Sequence, residues 1–358
     1  DDRNEFTLGG GWSRYDGKHF GEIIWAQYAI PNDYRWYDND AYKTDVNIYG
    51  KYQRRLGEAW SLFGDLQYRR VLYNIDGFRD NPDLLVRNTY NFFNPKVGVS
   101  WSNRNYRIYA SYSQGNKEPV RDDFEARTAE QPRPEKLHDF ELGIERRHQA
   151  FTWAATLYYM LYKDQLVLTG KVNDVGAYTR VNVPNSFRMG IELQGSARIA
   201  SWLQAGANLT LSRNRIKDFT EYYDDYDNDG QKSVHHGTTD ISFSPDLIGA
   251  ATISILPVSN LEISFPAKYV SRQYLDNTSN KQRSLNPYYV QDARIMYTVK
   301  KILVREASVI FQVNNLFNKK YEPNGYTFSY QYGGELITEN YYYPMAGTNV
   351  MVGLNVKL

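Results

Sequence analysis

The 358-residue chain contains no cysteine, which excludes disulfide frameworks and thiolate metal sites. It carries almost no net charge, +1 formally, from 42 basic and 41 acidic residues. That balance gives no electrostatic reason to expect nucleic acid as a partner. No run approaches 18 apolar residues, so a transmembrane helix is excluded. A transmembrane β-barrel is not, because its apolar face is diluted by a polar one. There is no signal-peptide pattern, and the opening "DDRNEFTLGGGWSRY" already reads as the middle of something. What the chain does have is 32 tyrosines, 7 tryptophans and 25 glycines. Aromatic residues reach 15%, yet the mean hydropathy is −0.64. The length suffices for a large core or a large barrel.

Periodicity decides the fold class. In "WLQAGANLTLS" Leu203, Ala205, Ala207, Leu209 and Leu211 alternate with Gln204, Gly206, Asn208, Thr210 and Ser212. In "MGIELQGSARIA" Ile191, Leu193, Gly195, Ala197 and Ile199 oppose Gly190, Glu192, Gln194, Ser196 and Arg198. The last segment puts Val350, Val352, Leu354, Val356 and Leu358 on one side, and Asn349, Gly353, Asn355 and Lys357 on the other. A period of two with one apolar and one polar face is a strand signal. The pattern recurs in about fourteen windows, the first and weakest near 4–14. Short connections ("LGEA", "SNRN", "RHQA", "IAS", "LPVSN", "KKIL") alternate with long ones near 73–90, 115–134, 164–185, 218–243, 274–286 and 316–345. Strict sorting of loop lengths is the habit of an outer-membrane barrel. Aromatic clusters such as "YYMLY" (158–162) and "YYYP" (341–344) are expected to form interfacial girdles. The fold class is therefore an all-β antiparallel transmembrane barrel, built as a meander. Apolar sets such as Leu203, Leu209 and Val352 should face outward with high exposure; Asn208 and Asn349 should face inward.

The segment "FQVNNLFNKKYEPNGY" leaves its strand in an unusual way. Val313, Asn315, Leu316, Phe317, Asn318 and Tyr321 resemble the penultimate-strand signature of TonB-dependent outer-membrane receptors. Asparagine side chains there can satisfy backbone groups at a strand exit. "FNPKVGVSW" (93–101), "YASYSQGNKEPVRDDF" (109–124), the 157–194 segment, "TDISFSPDLIGA" (239–250) and the closing "TNVMVGLNVKL" resemble barrel segments of iron-complex receptors of that family from Bacteroidetes-like bacteria. The resemblance implies fourteen of 22 strands, so that residues 1–358 form the C-terminal portion of the barrel without its plug. It further implies a receptor in the outer membrane of a Gram-negative bacterium, set in outer-membrane lipid. Such a receptor imports a scarce iron complex, a siderophore or haem, with energy from the TonB complex reached through the N-terminal part. It would not be an enzyme and would require no cofactor. A passive 14-stranded channel and a structural barrel fragment are the alternatives.

Candidate sites lie in the long connections. Ligand contacts are expected from aromatic and basic loop residues: Tyr222, Tyr223, Arg272, Tyr274, Arg283, Tyr326, Tyr330 and Tyr332. "DDYDNDG" places Asp225, Asp227 and Asp229 like the first half of a calcium loop, with His236 where the twelfth-position Glu belongs. The possible calcium in loop 218–243 competes with a solvated acidic tip, and with pairing to Arg213, Arg215 and Lys217. Because neighbours on a strand face apart, His235–His236 and His138–Asp139 are poor chelating or acid–base pairs. Glu141, Glu145, Glu192, Arg198, Asp292 and Arg294 should face the lumen. "QGNKEPVRDDF" is dense enough in charge to order a loop or touch a plug.

Overall fold

The computed structural model describes residues 3–28, 30–31, 33–79, 81–125, 131–172, 178–300 and 305–357. The expected "KKIL" turn and Leu358 fall largely outside these. Along the chain run β1 (Asn4–Ile23), β2 (Tyr34–Leu56), β3 (Trp60–Asp76), β4 (Leu85–Ser102), β5 (Tyr106–Lys117), a short helix α1 (Arg121–Glu125), β6 (Glu135–Arg147), β7 (Phe151–Val172), β8 (Tyr178–Ala200) and β9 (Leu203–Asp225). Then follow β10 (Gly230–Asp240), β11 (Leu247–Val258), β12 (Leu261–Val270), β13 (Gln273–Tyr274), β14 (Ser284–Leu285), β15 (Tyr288–Gln291) and β16 (Ala293–Lys300). The chain closes with β17 (Glu306–Asn314), β18 (Asn324–Tyr332), β19 (Glu335–Tyr343) and β20 (Asn349–Lys357).

The wall is an antiparallel meander in which each strand pairs with its neighbour in sequence from β1 to β9. It continues through β11, β12, the strand formed by β15 and β16, β17 and β20. These elements make fourteen wall strands, as the periodicity implies. Among the described residues β1 pairs only with β2, and β20 only with β17, so the wall has two open edges.

Register sorts the side chains. Leu209 is opposite Leu193 and Gly249, while Asn208 is opposite Gln194 and Ala250. Val350, Val352 and Leu354 form an exposed stripe on β20, with Val352 at 74%. Leu203, Ala205 and Leu209 are half-buried rather than highly exposed. Each lies in mid-sheet, where neighbouring side chains cover part of its surface. Trp60, Trp101, Trp153 and Trp202 all stand beside short turns, where amphipathic rings suit a membrane interface. The expected girdles differ. Tyr159 points outward, Tyr158 and Tyr162 point the other way, and Tyr341 to Tyr343 belong to a hairpin beyond the wall.

On the lumen side, several rings lie flat over glycines of the next strand. A Cβ at Gly143 would sit 2.1 Å from the ring of Tyr109, and one at Gly9 2.5 Å from that of Tyr49. Only glycine permits that approach.

The long connections hold more regular structure than their polar composition suggests. Residues 218–243 are mostly the hairpin of β9 and β10, and 316–345 contain the β18–β19 hairpin. Asp229, with φ of 51°, supplies the left-handed turn residue for the first. Gly333 and Gly334 supply two for the second.

Candidate functional site: a crown of hairpins

The motif "VNNLF" shows how the wall is tied to its crown. Asn315 is buried, 4% exposed, and left-handed with φ of 52°. Its Oδ1 accepts the Lys319 N–H (2.8 Å), and its Nδ2 donates to the carbonyls of Lys319 (2.9 Å) and Ala346 (3.2 Å). Its own N–H donates to Asp292 Oδ1 at 2.8 Å, where β15 gives way to β16. The asparagine thus replaces a broken ladder with side-chain bonds, as its position at a strand exit suggests. Asp292, expected to be a lumen charge, is consumed in this tie.

Three segments form the crown: the β9–β10 hairpin, the 271–287 segment and the β18–β19 hairpin. Arg283 joins them. Only 4% exposed, it donates to Glu221 Oε1 (2.5 Å), Asp276 Oδ2 (2.9 Å) and Thr338 Oγ1 (3.4 Å). Burial alone would lower its pKa, and the two carboxylates more than reverse that. Arg283 is therefore a structural tie and not an open ligand contact. Beside it, Asn277 is fully buried, accepting from the Ser242 N–H and donating to the Leu168 carbonyl. A short parallel bridge pairs Tyr330 with Asp224 and Gln331 with Asp225.

The acidic run is paired rather than gathered. Asp225 takes Lys232 at 3.1 Å and Asn228 at 2.9 Å. Asp227 accepts the N–H groups of Gly333 (2.7 Å) and Gly334 (2.9 Å), capping the other hairpin's turn. Arg215 pairs with Asp240. Among the described residues no three His, Cys, Asp or Glu converge as a metal set. The expected convergence of Asp225, Asp227 and Asp229 is thus not what the hairpin makes, because a tight turn sends alternate side chains apart. His236 meets Glu221 at 2.9 Å while His235 lies near Thr220, so the two histidines do not share a site.

Of the expected ligand residues, Tyr326, Tyr330 and Tyr332 share one face of β18. Tyr326 stacks on Tyr341 with centroids 4.8 Å apart, and Tyr330 meets Tyr226 edge-on at 5.7 Å. Tyr330 and Tyr341 both donate to Glu339. Those bonds hold the Glu339 carboxyl below its usual range and push both phenols up. Tyr222 and Arg272 are exposed, Tyr274 is half-buried in β13, and Tyr223 is buried beneath. The structure does not bring these four into the tyrosine face. Tyr226, Phe328, Tyr341, Tyr343 and Glu339 complete that face and were missed. The alternation within 335–343 was the available signal.

A second tie lies below the crown, in "QGNKEPVRDDF". Glu118, just past β5, is gripped by Lys43 (2.6 Å) and by both Arg69 nitrogens (2.7 and 2.9 Å). Burial would push the Glu118 carboxyl up, but these hydrogen bonds bring it down to about 2. Phe124 packs with Ile75, Phe78 and Val86. Asp123 accepts from Val120 N–H and from Arg180. The segment orders a loop.

His138 bonds Tyr112 at 2.9 Å on the outer face, and Asp139 stands on the other. Glu141, Glu145, Glu192, Arg198 and Arg294 occupy the polar face as expected. Near the short turns this concave face holds a recess of about 530 Å³ lined by Glu145, Thr152, Gln194, Asn208 and Thr252.

Residues 2–316 match the family described as TonB dependent receptor-like, beta-barrel. The chain belongs to this family. TonB-dependent receptors are transporters, not enzymes, of the Gram-negative outer membrane, which makes the exposed apolar stripe a lipid-facing one. No curated protein matches the chain. Solved structures share the fold. The siderophore receptor PiuA from Acinetobacter baumannii is 17% identical, with a TM-score of 0.71, over 99% of this chain and 53% of that one. The ferric yersiniabactin uptake receptor FyuA from Yersinia pestis is 16% identical, with a TM-score of 0.67, over 99% and 51%. The copper transporter OprC is 14% identical, with a TM-score of 0.71, over 99% and 54%. The chain thus spans about half the length of these three proteins.

Proposed function

We propose that this chain forms the C-terminal wall and crown of a receptor that imports a bulky metal complex, an iron siderophore or haem, with energy from TonB. The observation that carries this reading is the tyrosine face of β18 and β19, held rigidly above a polar concave wall. Flat rings flanked by phenols and a carboxylate suit a planar, polar-edged ligand. Names of structural neighbours support metal complexes as the ligand class: ferric yersiniabactin for one, a siderophore for another and copper for a third. The open edges of the wall support further strands in the intact receptor, because unpaired backbone in lipid is costly.

Uptake of radiolabelled ferric siderophore, haem and cupric ion by cells producing the intact receptor tests this. Saturable uptake of an iron complex is expected, lost without TonB and reduced at least about tenfold by Tyr326→Ala/Tyr341→Ala, the scale of one hot-spot contact. Uptake that survives loss of TonB would instead indicate a passive channel. Saturable uptake of copper alone would exclude iron.

A further inference from the structure

We propose that the outer face of β6 and β7 binds the phosphate of an outer-leaflet lipid. Lys136 and Lys163 are directly opposite each other across these strands. Both lie in register with the lipid-facing residues Phe140 and Leu157, an even number of positions away, and both are exposed. Like charges set opposite on one sheet face repel. Among the described residues neither ammonium has a carboxylate partner, and the nearest acids in sequence are taken: Glu135 by Lys117 at 3.8 Å and Asp164 by Arg133 at 2.9 Å. The rung extends through Asn185 on one side, an amide donor, and through Asn116 on the other, whose Nδ2 is already given to Asn94 Oδ1 (2.7 Å) and the Phe93 carbonyl (3.3 Å).

The height fits a headgroup. Lys136 is eleven residues from Arg147 at the short turn, roughly 28 Å up a tilted strand, just above an apolar band about 25 Å tall. Two rungs down the same face, past Gln114, His138 and Leu161, are Tyr112, Phe140 and Tyr159, aromatic residues of the kind that mark an interface. Two adjoining lysines flanked by Asn185, above aromatic rings and at the end of an apolar face, have the charge to hold a phosphorylated lipid. An anion between the ammonium groups would turn their repulsion into attraction.

The test uses the intact receptor in non-ionic detergent, with bisphosphorylated lipid A, its dephosphorylated form and inorganic phosphate as probes, read by native mass spectrometry and thermal midpoint. Lipid A should bind and raise the midpoint, with binding weakened roughly thirtyfold in Lys136→Gln/Lys163→Gln, about fivefold per lysine at an anionic lipid surface. Lys163→Glu gives a second reading. It should raise the midpoint of lipid-free receptor, by replacing a like-charge pair with an opposite one, and abolish the lipid effect. Equal binding of the dephosphorylated lipid, or lipid A binding unchanged in either variant, overturns the proposal. An equal effect of inorganic phosphate overturns the assignment to lipid.

Discussion

The wall between β5 and β9 and the crown above it are built on different principles. In the wall, pairing between β5 and β6 and between β6 and β7 runs without a register shift, and few side chains are needed to hold it. In the crown the ladder breaks between His235 and Gly237 and again before Thr239, and single side chains bridge segments 50 or more residues apart. Wall strength is spread over many equal backbone bonds. Crown order is concentrated in a few buried polar hubs, so single substitutions there should have large local effects and leave the barrel intact.

The largest effect is expected at Arg283. Arg283→Ala leaves buried Asp276 and half-buried Glu221 without their cation, a loss of about 3–5 kcal/mol when one partner of a buried pair goes. Hydrogen exchange should show deprotection at 221–223, 276–279 and 336–340 while β5 to β8 remain protected. Deprotection spreading into the wall would dissolve the distinction between the two regions.

In the wall the contrast is between faces. Leu209→Arg puts a charge against lipid six residues above the short turn that opens β9, near the bilayer midplane, and should cost about 2–4 kcal/mol in bilayer unfolding. Asn208→Arg, one residue away on the polar face, should be nearly neutral. Equal costs would mean that the facing is wrong.

Acid gives a third, graded effect. The Glu118 carboxyl is depressed from an ordinary 4.5 to about 2, so its contribution is full above pH 4.5 and fades as pH falls towards 2. Unfolding followed from pH 6 to 2 should show this slope, and Glu118→Gln should flatten it. The same slope in both proteins would remove Glu118 as its source.

The smallest effect is at Asp227. Asp227→Asn should loosen the Gly333–Gly334 turn by about 1 kcal/mol, the worth of an ordinary hydrogen bond, visible as faster exchange of those two amides. Calorimetry with millimolar calcium on both proteins decides the remaining role of Asp225, Asp227 and Asp229. Heat present in the wild type and absent in the variant would restore the ion site. No heat in either leaves Asp227 as a cap alone.

The wall was legible because a two-residue period survives translation into a ladder: Leu209 and Asn208 declare their faces in the sequence itself. Asn315 was legible too, since a turn-forming residue at a strand exit has few other uses. Arg283 was not. As a loop arginine it resembled a ligand contact, and only contacts with Glu221 and Thr338, 62 and 55 residues away, reveal it as a tie. Asp227 misled for a related reason. Spacing of acids along a chain describes a calcium loop only when the backbone curls around one point, and the hairpin straightens it.

The tyrosines laid over glycines have a bearing on the width of the lumen. A ring folded against the wall takes up width along the sheet instead of depth into the passage. Tyr109 over Gly143 and Tyr49 over Gly9 thus leave free bore where upright rings would narrow it. A methyl group at Gly143 would force the Tyr109 ring to swing away from the wall. The glycines of the inner face therefore act as clearance allowances, setting how far these rings stand out from the wall.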